Sequence, residues 1–235
     1  MSQLIATDSG AGAPSPAAIY SQLYGLLGEC FCYPDADLAE SVRSGALARQ
    51  ASTLCGELDA GLLESLDLSA LEDEAATSGV LSREFTRLFD AGARGTACSL
   101  NGGLQVGPQM KVMEEAVRFY GHFGLTLSEE QKELPDHLTT ELNFLHFLAL
   151  GEHELQAQGA PTTAYRLARR DFIARHPGRW VPVMKQKLQT MNPLPLFLAL
   201  TGLLEHLLSR DLAELEAAHG TAPLQPSGEL PFGGI

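Results

Sequence analysis

The stretch that decides the fold is DHLTTELNFLHFLALGEHELQAQ, residues 136–158. Its apolar side chains recur at intervals of three and four residues, which is the spacing of one face of an α-helix. Alternating β-branched and polar residues, which are typical of strands, do not form a run anywhere in the sequence. The sequence therefore predicts a helix over 136–158 and favours helices elsewhere.

Similar helical periodicity occurs on both sides of this segment. Amphipathic or apolar stretches cover residues 17–33, 38–58, 78–89, 108–123, 161–176, 180–191 and 193–218. No internal repeat of roughly 20–50 residues divides them. We expect an all-α, single-domain helical bundle over residues 17–219. Segments rich in small residues, Gly and Pro predict flexible tails at 1–16 and 220–235.

The charge balance narrows the possible partners. The chain has 235 residues with 29 Asp and Glu against 16 Lys and Arg, a net charge of −13 with neutral His. Such an acidic chain is not expected to bind nucleic acid or an anionic membrane surface, whereas it suits a cationic partner. Residues 1–16 lack the basic and apolar regions of an export signal. The sequence thus predicts a cytoplasmic protein without stable membrane association.

His137 and Glu141 offer one possible chemistry. They are four residues apart and share a predicted helix face, which is a spacing that metal ligands use. The sequence supplies no further ligand in a known motif, so we expect no bound metal. In the structural interpretation Glu141 hydrogen-bonds and orients the His137 imidazole, while Asp136 caps the helix or lies in its first turn. A helical metalloprotein or enzyme using His137 and Glu141 is the alternative to a binding protein.

The glycine-rich stretch NGGLQVG, residues 101–107, precedes a predicted helix. A loop of this kind can cradle an anion with its backbone N–H groups. It lacks the Gly-Lys-Ser/Thr of a phosphate-binding loop, and no strand is predicted before it. The alternative is a loop whose glycines are needed only for its shape.

Three blocks together resemble a known family. They are EFTRLF at 84–89, LPDHLTTELNFL at 134–145 and RxFxxxHPxxWxP at 170–182. Their order and spacing resemble the TorD/DmsD family of molybdoenzyme maturation chaperones, over about residues 20–219. The loop CSLNGG, residues 98–103, is more similar to the branch that serves type II enzymes of the dimethyl-sulfoxide reductase family.

The resemblance implies an all-helical chaperone with no catalytic activity and no cofactor of its own. Its expected partners are a molybdoenzyme catalytic subunit and the twin-arginine signal peptide of that subunit, which it holds until the molybdenum cofactor is inserted. The positions that match the family's peptide contacts are Phe85, Leu88, Phe89, Pro135, Asp136, His137 and Glu141.

The chemistry of the expected peptide agrees with these positions. A twin-arginine signal carries two guanidinium groups followed by an apolar segment. Its receptor needs carboxylates beside an apolar groove, because carboxylates accept paired N–H donors from arginine. Asp136 and Glu141 are the expected carboxylates, and Phe85, Leu88 and Phe89 are divided between the core and the groove.

Overall fold

A computed structural model describes residues 14–59, 61, 66–92, 95–126 and 133–224. Within these ranges the chain is mostly helical, which confirms the predicted all-α class. The α-helices in these described ranges are α1 (Pro16–Cys30), α2 (Ala36–Arg43), α3 (Ala46–Leu58), α4 (Ser78–Phe89), α5 (Gly103–Val106), α6 (Gln109–His122), α7 (Leu138–Ala157), α8 (Thr163–Arg175), α9 (Pro177–Thr190) and α10 (Pro195–His219). A 3₁₀ turn covers Ser69–Leu71, and β1 (Ala91–Gly92) pairs antiparallel with β2 (Gly95–Thr96).

Several predicted boundaries differ from the structure: α1 ends at Cys30 and not at residue 33, and α9 begins at Pro177 and not at residue 180. The stretch 38–58 belongs to two helices, because the chain turns at Gly45, whose φ of 69° is a conformation that favours glycine. Helix α7 begins at Leu138 and not at residue 136, since His137 is its N-cap and accepts a hydrogen bond from the Thr139 backbone N–H at 3.3 Å. The predicted tails, 1–16 and 220–235, lie outside the described residues except for 14–16 and 220–224.

The core forms where α1 packs along α7 and where α8, α9 and α10 pack against one another. Helix α7 is central because it also contacts α8. Large side chains fill this interior, and the fully buried ones include Tyr24, Phe119, Phe172, Trp180 and Phe197. Burying a side chain of this size contributes about 1.5–3 kcal/mol to stability. The bundle is therefore a rigid frame for the loops that connect its helices.

A buried charged network joins α1, α7, α8 and α10. The Arg169 guanidinium lies 3.0 Å from Asp211 and 2.6 Å from Glu152, and the Tyr24 hydroxyl donates to Asp211 at 2.8 Å. Each buried charge therefore has a partner of opposite sign, and the network links these four helices. No helix in the described part of the chain is long and apolar enough to cross a membrane.

Candidate functional site

The glycine-rich loop docks on the segment that leads into α7. The Gly102 N–H donates to the Asp136 carbonyl oxygen at 2.8 Å, and the Gly103 N–H donates to Asp136 Oδ2 at 3.0 Å. Asn101 Nδ2 donates to Asp136 Oδ1, also at 3.0 Å. The loop that resembled an anion cradle thus binds a carboxylate of the protein itself. Asp136, which is fully buried, holds the loop in place and lies before the first turn of α7.

Gly102 and Gly103 must both be glycine because neighbouring atoms leave no room for a Cβ atom. A Cβ atom on Gly102 would lie 2.6 Å from Nε1 of Trp180, and one on Gly103 would lie 2.5 Å from the Gln109 Cα. Neither distance is compatible with a side chain unless a neighbour moves. Of the two interpretations of this stretch, an anion cradle and a loop that needs glycine for its shape, the second therefore applies to Gly102 and Gly103.

Glu141 is fully buried on the inner side of α7. Its Oε2 accepts a hydrogen bond from Trp180 Nε1 at 2.9 Å, and its Oε1 lies 3.6 Å from Nδ1 of His176. Burial raises the pKa of Glu141 well above its ordinary value, and the nearby Asp136 acts in the same direction. Burial, helped by Arg175 and Arg179, lowers the pKa of His176 to about 3. His176 is therefore neutral near pH 7.

The predicted pairing of Glu141 with His137 is wrong. His137 lies at the N-cap, outside the regular turn that would place it over Glu141. Its Nδ1 accepts from the Thr139 N–H, so its Nε2 carries the proton and faces the Glu133 carboxylate at 3.4 Å. Burial lowers the pKa of His137, while Glu133 and Asp136 oppose this shift. Glu133 is the carboxylate beside the imidazole, and its side chain is 54% exposed.

A hollow of about 380 Å³ brings two of the predicted blocks together. We call it the aromatic hollow. Phe85 and Phe89 from α4 line it together with His137; all three predicted groove residues of α4 are buried, Phe85 and Phe89 with 8% and 7% exposed and Leu88 with none. The centre of the Phe85 ring lies 5.1 Å from the centre of the Phe89 ring and 5.6 Å from that of the Tyr33 ring. Tyr33 itself is 61% exposed. The lining comprises Phe31, Cys32, Tyr33, Phe85, Phe89, Asp90, Thr96, Ser99, Leu100, Asn101, Glu133, His137 and Thr139.

The aromatic hollow has an acidic character. Asp90 and Glu133 belong to its lining, and none of its described lining residues is Lys or Arg. The sequence interpretation missed Glu133 and Tyr33. Glu133 precedes His137 by four residues, so the spacing that nominated Glu141 also fits Glu133. Tyr33 lies beyond the end of α1 in no recognised motif, and no sequence signal indicated it.

The other expected peptide residues occupy different environments. The carbonyl oxygen of Pro135 accepts a hydrogen bond from the Tyr120 hydroxyl at 2.7 Å, which fixes the turn before α7. Asp136 and Glu141 are both buried. Among the described residues, no three His, Cys, Asp or Glu side chains gather closely enough to hold a metal ion.

Several known proteins are similar in sequence to this chain. Residues 47–186 match the family model described as nitrate reductase delta subunit. The chain is 36% identical over 159 residues to the selenate reductase assembly chaperone protein of Thauera selenatis, covering 66% of this chain and 81% of that one. It is 33% identical over 156 residues to the chlorate reductase assembly chaperone protein of Ideonella dechloratans, covering 65% and 79%. It is 29% identical over 94 residues to chaperone protein TorD of Vibrio parahaemolyticus, covering 40% and 43%.

The helical fold and these similarities define the class as assembly chaperones and not enzymes. The chain belongs to the nitrate reductase delta subunit family. The resemblance to TorD-like maturation chaperones is thereby confirmed, and the metalloprotein alternative gains no support.

Proposed function

We propose that this chaperone binds the twin-arginine signal peptide of a molybdoenzyme catalytic subunit at the aromatic hollow. The observation that carries the proposal is the meeting of Phe85, Phe89 and His137 around one acidic, ring-lined hollow. The relatives named for selenate and chlorate reductases support an oxyanion reductase of the type II branch as the client. Because the peptide is bound before export, the chaperone acts in the cytoplasm.

The lining of the aromatic hollow suits a guanidinium group. Glu133 is an exposed carboxylate that can accept paired N–H donors, and the exposed Tyr33 ring offers a face on which a guanidinium can stack. The net charge of −13 attracts a cationic peptide from a distance, and salt screens this attraction. Charge and aromatic surface thus favour the same ligand.

The expected peptide residues take two kinds of role in this proposal. Phe85, Phe89 and His137 line the hollow and contact the peptide directly. The remaining members act from beneath it by positioning the loop and the start of α7, and they are Leu88, Pro135, Asp136 and Glu141. The working unit is the helical domain over residues 17–219.

Titration calorimetry with a synthetic peptide tests the proposal. The peptide contains two consecutive arginines followed by a leucine- and alanine-rich segment, and a matched peptide has lysines in place of the arginines. We expect the arginine peptide to bind more tightly, because lysine cannot form the paired hydrogen bonds. Tyr33→Ser should weaken binding about tenfold, equivalent to about 1.4 kcal/mol.

Met110→Ser is the matched control, since Met110 is 64% exposed and does not line the hollow. It should leave the affinity unchanged. Absence of binding to either peptide would refute the proposed function. An equal loss in Tyr33→Ser and Met110→Ser would move the site away from the aromatic hollow.

A further inference from the structure

A second hollow, of about 420 Å³, adjoins the aromatic hollow. It lies between the end of α6 and one face of α7, and we call it the α7 hollow. The two hollows share Glu133 and Thr139 in their linings, so they lie next to each other on the surface. None of the residues expected to bind peptide lines the α7 hollow.

The α7 hollow is formed largely by one stripe of α7. Thr140, Asn143, Phe144 and Phe147 follow the i, i+3, i+4, i+7 pattern of a single helix face. The Phe144 and Phe147 rings are stacked with their centres 6.3 Å apart. Phe144 is buried, with its ring centre 4.8 Å from those of Tyr120 and Phe172, whereas Phe147 is only partly buried and remains accessible from the hollow.

The charges of the two hollows differ. Glu133 lies at their shared border and is the only charged group among the described lining residues of the α7 hollow. The aromatic hollow adds Asp90 to Glu133. A guanidinium in the α7 hollow would lose water and find no carboxylate other than Glu133 among the described lining residues, which is unfavourable. Apolar side chains placed there would gain stability through burial.

We propose that the α7 hollow receives the apolar segment of the client peptide while the arginines lie at the aromatic hollow. This inference rests on the proposed function and adds to it a binding direction, from the aromatic hollow across Glu133 to Phe147. The argument for this occupant is that the two hollows adjoin each other and that their described linings differ in charge. A volume of about 420 Å³ lies within the range of about 300–1,000 Å³ that is usual for ligand pockets.

A double-mutant cycle tests the direction of binding. The protein change is Phe147→Ala, and the peptide change replaces the leucines after the arginines with serines. We expect Phe147→Ala to weaken the leucine peptide about tenfold and to leave the weaker binding of the serine peptide unchanged. Leu150→Ala is the matched control, because Leu150 is an exposed apolar residue of the same helix outside both hollows.

Photo-crosslinking to the unmodified chaperone gives an answer that does not depend on variant stability. A peptide with a benzophenone side chain in its apolar segment should attach to the stretch 140–147. Attachment at Tyr33, Phe85 or Phe89 would overturn the proposed direction. Equal effects of Phe147→Ala and Leu150→Ala on the leucine peptide would also overturn it, while leaving signal-peptide binding intact. Failure of the unmodified chaperone to bind either peptide would instead refute the proposed function.

Discussion

Replacing Gly103 with alanine should destabilise the chaperone more than any ordinary surface change. The new Cβ would lie 2.5 Å from the Gln109 Cα and 2.9 Å from Asp136 Oδ2, so the loop must move. Movement weakens the hydrogen bond from the Gly103 N–H to the buried Asp136 carboxylate. Overpacking costs about 1–3 kcal/mol and a hydrogen bond to a charged group contributes about 1.5–3 kcal/mol. We expect a loss of about 3 kcal/mol, since movement relieves part of the clash.

Gly107→Ala is the control for this prediction. Gly107 belongs to the same loop and has an extended φ of 175°. A Cβ atom at this position would have no atom within 4 Å other than those of its two chain neighbours. It should change the unfolding free energy by less than about 0.5 kcal/mol. Denaturant titration followed by far-ultraviolet circular dichroism measures both variants. A loss of about 3 kcal/mol corresponds to a melting point lower by about 6–12 °C for a domain of this size.

The reasoning fails if Gly103→Ala and Gly107→Ala are equally stable. In that case the contact between the loop and Asp136 would not be a specific feature of the folded state. It also fails if Gly103→Ala keeps its stability but loses peptide binding, because the loop would then act on the ligand directly.

Three further predictions test the charges around the site. Glu133→Gln should weaken binding of the arginine peptide at low salt and have little effect at high salt, as measured by calorimetry, because screening already removes this attraction; an unchanged salt dependence would contradict it. Trp180→Phe removes the donor to buried Glu141 and should cost about 1–3 kcal/mol in denaturant titration, and an unchanged midpoint would show that this hydrogen bond is dispensable. The folded-state pKa of His176 is about 3, below its ordinary 6.5, so the unfolded chain takes up a proton at this residue before the folded chain does. The stability that His176 contributes is therefore present above pH 6.5 and is lost as the pH falls from 6.5 towards 3. In His176→Phe the loss on acidification should be shallower by about 1.4 kcal/mol per pH unit, and identical pH profiles for the two proteins would refute this.

The helices could be predicted because their signal is local. The apolar spacing of residues 136–158 identified α7 to within two residues at its start. The break at Gly45 was missed because a single turn between two short amphipathic helices preserves nearly the same periodicity. The start of α7 was placed too early, since capping by the His137 side chain depends on backbone angles that periodicity does not report.

The site was harder to predict because its contacts are distant in sequence. The hydrogen bond between Gly103 and Asp136 spans 33 residues, and that between Trp180 and Glu141 spans 39. The sequence identified all of these positions within conspicuous motifs. It did not indicate which of these residues contact each other. Helical spacing therefore suggested His137 as the partner of Glu141, whereas the residues beside Glu141 are Trp180 on α9 and His176 just before that helix.

The burial of Asp136 and Glu141 changes how the motif around them is understood. Each carboxyl group holds a different element: Asp136 fixes the glycine-rich loop, and Glu141 fixes Trp180 of α9. Between these two attachments lies His137, whose Nε2 faces Glu133 at the border of the two hollows. A carboxylate that is already bound inside the protein cannot also accept an arginine without losing its present partner. In the proposed peptide complex the acidic contact is therefore assigned to Glu133 and not to this pair, and the two buried acids hold the glycine-rich loop and α9 in place.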